Sequence, residues 1–142
     1  MNSKNNSIEL NPCFILVDDN PGDLHIMSYV LENLFPTAKV LCFEEGEDFI
    51  SFWESTTIDL KSIDGIFLDF NMPGISGKEI LEYLNAHSYE QAPIYIFSGA
   101  IIESLRVEVK SLGALDFLEK PVELEEIMKL FENLFHPQLS LA

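Results

Sequence analysis

Five short apolar runs are spaced along the chain, and a segment with helical spacing of apolar residues follows each of them. The runs are Phe14 to Val17, Val40 to Phe43, Ile66 to Leu68, Ile94 to Phe97 and Phe117 to Leu118. Continuous apolar runs of this length are typical of strands that are covered on both faces of a parallel sheet. Strict alternation of strand and helix therefore predicts one parallel sheet with right-handed crossovers and helices on both faces.

The segments between these runs each carry one apolar stripe, which predicts five amphipathic helices. The stripes are Leu24, Met27, Val30, Leu31 and Leu34; Phe49, Ile50, Phe52 and Trp53; Ile80, Leu81 and Leu84; Leu105, Val109 and Leu112; and Leu124, Ile127, Met128, Phe131 and Leu134. Residues 1–11 are polar and aperiodic, so we expect a flexible N-terminal tail there. One domain is expected over 12–136 and a C-terminal tail over 137–142.

Composition mainly excludes classes of function. A chain of 142 residues with 47% apolar residues supports one α/β domain but not two. Its net charge of -16 makes direct binding to nucleic acid unexpected, because such binding needs clustered basic residues. No apolar run reaches the ~18 residues of a membrane-spanning helix. The N-terminus also lacks the apolar centre of a secretion signal, so we expect a cytoplasmic protein that does not bind membranes.

The cysteines and histidines carry no recognisable chemistry. Cys13 and Cys42 lack CxxC spacing and have apolar neighbours, which favours buried reduced thiols over a disulfide or a metal site. His25, His87 and His136 are far apart and lack metal-ligand spacing, so surface positions are the default.

The polar residues that are candidates for a site follow four of the five predicted strands. Asp18 and Asp19 follow the first strand, Asp69 the third, Ser98 the fourth and Lys120 the fifth. In doubly wound sheets, sites form beyond the carboxyl ends of the strands, so these five side chains are expected to meet.

An aspartate after a strand is, taken alone, usually a turn former or a helix cap. That interpretation suffices for Asn20 and Asp23. Three clustered carboxylates, however, repel one another unless a cation or a proton lies among them, which predicts a metal site. Phosphoryl transfer suits such a site, with Asp69 as the nucleophile that forms an acyl phosphate. Lys120 and the Ser98 hydroxyl would then bind phosphoryl oxygens.

These residues together resemble the receiver domain of bacterial two-component response regulators, over about Phe14 to Phe135. The matching pieces are the pair Asp18-Asp19, the segment Asp64 to Gly77, the step Ser98-Gly99 and the dipeptide Lys120-Pro121. The resemblance implies a flavodoxin-like, doubly wound (βα)5 sandwich of three layers with strand order 2-1-3-4-5.

The resemblance also implies a role for each site residue. Asp69 would be the phosphoacceptor, and Asp18, Asp19, Asp69 and the backbone carbonyl of Asn71 would surround Mg²⁺, with Mn²⁺ able to substitute. Lys120 and Ser98 would complete the reaction site. The chain would then catalyse only its own phosphorylation and dephosphorylation, as a signalling domain and not a turnover enzyme.

Other implied features concern the output of the signal. Ser98 would move toward the phosphoryl group and Phe117 would fill the space it leaves, although a plain core role suits Phe117 equally well. Asn71 and Ala100 occupy positions that, in the family, influence how easily water reaches the phosphoryl group. We therefore expect them to influence the lifetime of the phosphoryl group. The Lys120-Pro121 peptide bond is similar to one that is cis in the family, and an ordinary trans peptide bond is the alternative.

The implied partners are a histidine kinase or a histidine phosphotransfer protein as donor and an unidentified protein as target. After the fifth helix the chain has no room for an output domain, so we expect a stand-alone receiver. Its relay face would comprise the fourth helix, last strand and fifth helix, where Ile101, Ile102 and Val107 add apolar residues. If exposed, these residues would favour docking of a partner or a phosphorylation-dependent homodimer. The alternative is that they belong to a wide buried face of the fourth helix.

Three other functions share some of these residues or this fold. An aspartate-nucleophile phosphatase of the haloacid dehalogenase type uses similar residues, but normally carries an Asp-x-Asp pair after its first strand, and here Asn71 replaces the second aspartate. A flavodoxin-type electron carrier would suffer repulsion between Asp18-Asp19 and the flavin phosphate. A receiver-like docking module that takes no phosphate predicts the loss of site residues, all of which are present.

Overall fold

The computed structural model describes residues 11–57, 62–87 and 92–135. Strands and helices alternate strictly through these residues. The strands are β1 Cys13–Val17, β2 Lys39–Phe43, β3 Ile63–Asp69, β4 Ile94–Ser98 and β5 Asp116–Glu119. The helices are α1 Pro21–Leu34, α2 Gly46–Ser55, α3 Gly77–Ala86, α4 Glu103–Ser111 and α5 Leu124–Leu134. The predicted tails, apart from Asn11, lie outside the described residues, as does His136.

All five strands are parallel and form one sheet in the order β2-β1-β3-β4-β5. This confirms the predicted doubly wound fold and its strand order. In the central pair, Val17 of β1 lies opposite Leu68 of β3. Asp18, which follows β1, and Asp69, the last residue of β3, therefore lie side by side at the edge where such folds place their sites.

The side chains of the sheet divide between two apolar cores because successive strand residues point to opposite faces. Ile15 and Val17 of β1 belong to the core that also contains Phe49 of α2 and Ile80 of α3. Phe14 and Leu16, with the buried residues of α1 and α5, form the other core. The three-layer sandwich that the sequence predicts thus has a core on each side of the sheet.

Burial differs from the prediction where an element lies at the margin of the fold. β2 pairs with β1 alone, so its side chains are only partly buried or exposed. Cys42 is exposed for that reason, and the prediction of a buried thiol holds only for Cys13; neither cysteine forms a disulfide within the described residues. Leu124, the first residue of α5, is also exposed, whereas Ile127 and Phe131 of the same stripe are buried.

Helix α4 combines a small buried apolar face with ion pairs to its neighbours. Val109 is its one fully buried residue, and its N-cap, Ile102, supplies no side-chain hydrogen bond. Arg106 Nη1 lies 2.7 Å from the Asp116 carboxylate of β5, and Lys78 Nζ of α3 lies 2.6 Å from the Glu108 carboxylate of α4. The predicted partners in its stripe, Leu105 and Leu112, are only partly buried.

A capping box begins helix α3, directly after the loop that follows Asp69. The Ser76 hydroxyl accepts from the Glu79 backbone N–H at 3.2 Å, and the Glu79 carboxylate accepts from the Ser76 backbone N–H at 2.9 Å. These contacts satisfy two N–H groups at the helix start that would otherwise lack partners.

We expect Ser76→Ala to lower the free energy of unfolding by about 1 kcal/mol, because it removes this cap. Urea denaturation followed by circular dichroism measures the change. Ser104→Ala, at an exposed serine in the first turn of α4, is the control and should change stability by less than about 0.5 kcal/mol. Equal effects of the two substitutions would contradict the capping role.

No helix in the described part of the chain is long and apolar enough to cross a membrane.

Candidate functional site

Three carboxylates meet where β1 and β3 end. Asp18 is 1% exposed and Asp69 is 7% exposed, whereas Asp19 lies at the surface. One carboxylate oxygen from each lies within 4.8 Å of those of the other two. The Asp18 backbone N–H donates to the Phe43 carbonyl at 3.0 Å, which fixes the chain where it leaves the sheet. The structure therefore brings the three predicted metal carboxylates together.

Lys120 reaches this cluster from the end of β5. Its Nζ lies 2.6 Å from Asp18 Oδ2, 2.7 Å from Asp23 Oδ2 and 3.6 Å from Asp69 Oδ2. The Lys120 backbone N–H donates to the Ser98 carbonyl at 2.7 Å, so the ends of β4 and β5 are tied together. The lysine that the sequence placed at the site is thus in contact with two of its carboxylates.

The donor set suits a hard divalent cation. Asp18 Oδ2 is buried, and its one partner in the described residues is the Lys120 ammonium, at 2.6 Å. Asp18 Oδ1 accepts from the Asn20 backbone N–H at 2.9 Å, which orients the carboxylate. Clustered carboxylate oxygens that outnumber the nearby positive charges are the environment in which Mg²⁺ or a similar ion binds.

Burial and neighbouring charges alter the acidity of the site. Burial of the Asp69 carboxyl, together with repulsion from Asp18, raises the pKa of Asp69 to about 7, despite the opposing effects of Lys120 and of a hydrogen bond from the Asn71 backbone. Burial lowers the pKa of Lys120, but its hydrogen bonds to Asp18 and Asp23 outweigh that effect and leave the pKa above its usual value. Without a cation, Asp69 is therefore largely protonated only below about pH 7, and Lys120 keeps its ammonium charge.

The Ser98 hydroxyl is bonded within its own loop. It is buried and donates to the Ala100 carbonyl at 2.9 Å. The sequence predicts that the Ser98 hydroxyl binds a phosphoryl oxygen. To do so, the hydroxyl would have to break its hydrogen bond to the Ala100 carbonyl. Ala100 itself is exposed beside the site loop, as is Asn71 after β3.

Phe117 lies wholly within the core on the face of the sheet that carries α2 and α3. Its ring meets the ring of Phe70 edge to face, with centroids 5.8 Å apart and an interplanar angle of 71°. Phe70 follows Asp69 directly, so the predicted switch residue contacts the segment that carries the predicted phosphoacceptor.

The Lys120-Pro121 bond is trans in the structure, in contrast to the cis bond that the family resemblance suggested. The ammonium nevertheless reaches the carboxylates through the lysine side chain.

Two residues at the site were not identified from the sequence. The sequence pattern predicts a turn or cap residue at Asp23, whereas in the structure its carboxylate pairs with Lys120. Gly77 was part of a motif without a role of its own. A Cβ added at Gly77 would overlap the Asp69 carbonyl oxygen and lie 2.8 Å from the Asp69 carbonyl carbon. Only a glycine lets α3 begin against the backbone of Asp69.

The predicted relay face does expose apolar side chains. Ile102 and Val107 are more than half exposed, whereas Ile101 packs against the core. Leu115, Val122 and Leu124 are also exposed and were not predicted to be. Val122, at 81% exposure, follows the site residue Lys120 by two positions.

Comparison with known proteins agrees with this geometry. The family of response regulator receiver domains matches residues 14–132. The cyclic di-GMP phosphodiesterase response regulator RpfG of Xanthomonas campestris pv. campestris is 30% identical over 121 residues, which are 84% of this chain and 31% of that protein. The chain thus spans about a third of that relative's length.

Solved structures share the fold at lower identity. The phosphorylated cyanobacterial phytochrome response regulator RcpA is 20% identical, with a TM-score of 0.78 over 93% of this chain and 96% of that one. The Mn²⁺-bound response regulator Rcp1 is 19% identical, with a TM-score of 0.71 over 86% of this chain and 90% of that one. The sequence match over most of the chain, the strand order and the acidic edge of the sheet lead to one conclusion: this chain belongs to the response regulator receiver domain family.

Proposed function

We propose that Asp69 of this receiver domain accepts a phosphoryl group from a phosphohistidine donor in a Mg²⁺-dependent reaction. The observation that carries the proposal is the meeting of Asp18, Asp19 and Asp69 at one edge of the sheet, with Lys120 in contact with two of them. Receiver domains bind a divalent cation in such a pocket, and Mg²⁺ is our choice of ion because the donors are all oxygens.

The residues divide the chemistry between them. An oxygen of the Asp69 carboxylate attacks phosphorus while the bond from phosphorus to the donor nitrogen breaks; the electron pair of that bond stays on the leaving histidine, and an acyl phosphate forms. The Lys120 ammonium, 3.6 Å from Asp69 Oδ2, neutralises a phosphoryl oxygen. Asp18, Asp19 and Asp69 would hold the cation together with the Asn71 carbonyl. When bound, the cation offsets charge on the phosphoryl oxygens.

The response to phosphorylation is proposed to begin at Ser98. The phosphoryl group offers strong acceptor oxygens, so the Ser98 hydroxyl would exchange the Ala100 carbonyl for one of them. Phe117 would adjust its packing against Phe70 as that loop moves. The exposed methyl side chain of Ala100 cannot position water, and with Asn71 it would help to set the lifetime of the acyl phosphate.

The phosphoryl donor in this proposal is a histidine kinase or a histidine phosphotransfer protein, the partners of receiver domains. The target would be a protein that docks on the face made by α4, β5 and α5, where apolar side chains are exposed. A phosphorylation-dependent homodimer would use the same face. The chain would turn over only its own phosphoryl group, and the family assignment does not favour the phosphatase alternative.

Intact-mass spectrometry after incubation with acetyl phosphate and Mg²⁺ tests the function. We expect the wild type to gain one phosphoryl group and Asp69→Asn to gain none. Chelation of the cation should abolish the gain in the wild type. Asp48→Asn, at an exposed acid in the first turn of α2, is the control and should be phosphorylated like the wild type. Undiminished phosphorylation of Asp69→Asn would disprove the assignment.

A further inference from the structure

The three carboxylates around Lys120 are not equivalent. Asp18 and Asp69 belong to the cluster that is suited to a cation, whereas Asp23 lies in the first turn of α1, outside that cluster. Within the described residues, Asp23 is the one ion-pair partner of Lys120 that is not in the cation cluster.

A cation and Lys120 would compete for the same oxygens. Asp18 Oδ2 is a buried oxygen of a residue in the cation cluster, and it is also the carboxylate oxygen closest to Lys120 Nζ, at 2.6 Å. A divalent ion bound in the cluster repels the ammonium and competes with it for both of its partners there, Asp18 and Asp69. Lys120 then needs another carboxylate within reach, because its side chain is only 19% exposed and an unpaired ammonium in a largely buried position is costly.

Asp23 is held in the position to supply that partner. Its backbone N–H donates to the Asn20 side-chain oxygen at 3.1 Å, in the cap that begins α1. Its carboxylate already lies 2.7 Å from Lys120 Nζ and is partly open to solvent, so it does not have to move into the pocket. The pair is charge-assisted and short, as expected for an ammonium that stays in one place.

We propose that Asp23 is a positioning residue: it anchors Lys120 from outside the cation cluster, so that the lysine and a divalent cation can occupy the pocket together. The inference rests on the proposed function for the identity of the cation and for the use of Lys120. It adds that the aspartate five residues after Asp18 sets cation affinity through Lys120 and not through direct ligation.

The test compares Asp23→Asn with a matched loss of charge. Glu44→Gln removes a carboxylate that lines the same acidic groove as Asp19 and has no contact with Lys120 among the described ion pairs. A general electrostatic effect of one exposed charge should weaken Mg²⁺ binding by about twofold. Asp23→Asn should weaken it by about fivefold or more, because Lys120 then competes for the cluster. Asp23→Glu should bind Mg²⁺ more tightly than Asp23→Asn.

A second readout follows Lys120 directly and needs no phosphorylation. The side-chain ammonium of Lys120 can be observed by nitrogen-15 NMR while ion pairs slow its exchange with water. Without Mg²⁺ we expect the signal in both wild type and Asp23→Asn, since Asp18 still pairs with Lys120. With saturating Mg²⁺ it should persist in the wild type and broaden beyond detection in Asp23→Asn.

Two results would each overturn the proposal: an ammonium signal in Mg²⁺-bound Asp23→Asn that matches the wild type, or a Mg²⁺ affinity no weaker than that of Glu44→Gln. The metal-free ammonium signal also checks that the variant is folded at the site. Because both readouts precede any chemistry, a failure of Asp69 to take phosphate would refute the proposed function while leaving this test intact.

Discussion

The variant Asp69→Asn is expected to be more stable than the wild type at pH 8 without divalent cations, by about 1–3 kcal/mol. Burial and the charge of Asp18 raise the pKa of Asp69 to about 7, so ionisation of this carboxyl destabilises the folded state. In the unfolded chain the pKa of this carboxyl is about 4. A neutral amide of the same shape removes the repulsion.

The sign of the pH dependence follows from that difference. The folded state holds the Asp69 proton more tightly than the unfolded state, so the contribution of this group to stability falls as pH rises from about 4 to about 7 and is constant above. The advantage of Asp69→Asn should accordingly be near zero at pH 4 and largest above pH 7. The full difference between the folded and unfolded pKa of Asp69 would correspond to about 4 kcal/mol in the free energy of unfolding. Partial solvent access to the site reduces that value.

Urea denaturation of both proteins at several pH values measures this advantage. Asp48→Asn, which removes one exposed acidic charge from the same highly acidic protein, should gain no such stability. Excess Mg²⁺ should shrink the advantage of Asp69→Asn, because the cation stabilises the wild-type site. Equal stability of wild type and Asp69→Asn at pH 8 in the presence of a chelator would show that the ionised Asp69 carboxylate does not destabilise the folded state.

Gly77→Ala is expected to lower the free energy of unfolding by about 2–4 kcal/mol. The added Cβ would overlap the Asp69 carbonyl oxygen and lie 3.1 Å from the Phe70 Cα. Both contacts are with backbone, and Asp69 ends a strand that pairs with β1 on one side and β4 on the other. The obstruction therefore cannot be relieved by rotating a side chain, and either α3 or the end of β3 has to shift.

Gly99→Ala is the matched control, because a Cβ there would meet no heavy atom within 4 Å. It should cost no more than about 0.5 kcal/mol. Thermal and urea unfolding of both variants give the comparison, and the Mg²⁺ affinity of folded Gly77→Ala reports whether Asp69 has moved. Unfolding free energies for Gly77→Ala and Gly99→Ala that agree within error would contradict the role assigned to Gly77.

The elements and their order could be predicted from the sequence because each strand is a continuous apolar run and each helix has an apolar stripe. The same pattern places Asp18, Asp69 and Lys120 at one edge, since parallel strands all end there. Predictions failed where burial depends on neighbours that local pattern does not reveal. The run containing Cys42 is apolar, yet β2 is an edge strand and leaves that side chain exposed.

Side-chain partners were the least predictable part of the site. The roles of Asp23 and Gly77 arise from contacts with Lys120 and Asp69, which are far away in the sequence. The bond from the Ser98 hydroxyl to the Ala100 carbonyl is one of several that a serine in a loop can make, and residue type alone does not select among them.

The attachment of α4 gives this domain an uneven response to ionic strength. The helix buries only Val109 fully and is joined to its neighbours through Arg106–Asp116 and Lys78–Glu108, pairs that are partly open to solvent. Added salt screens such pairs, whereas screening does not weaken apolar packing of the kind that holds α1 and α3. Backbone amide exchange in α4 should then quicken at high salt before the rest of the sheet is affected.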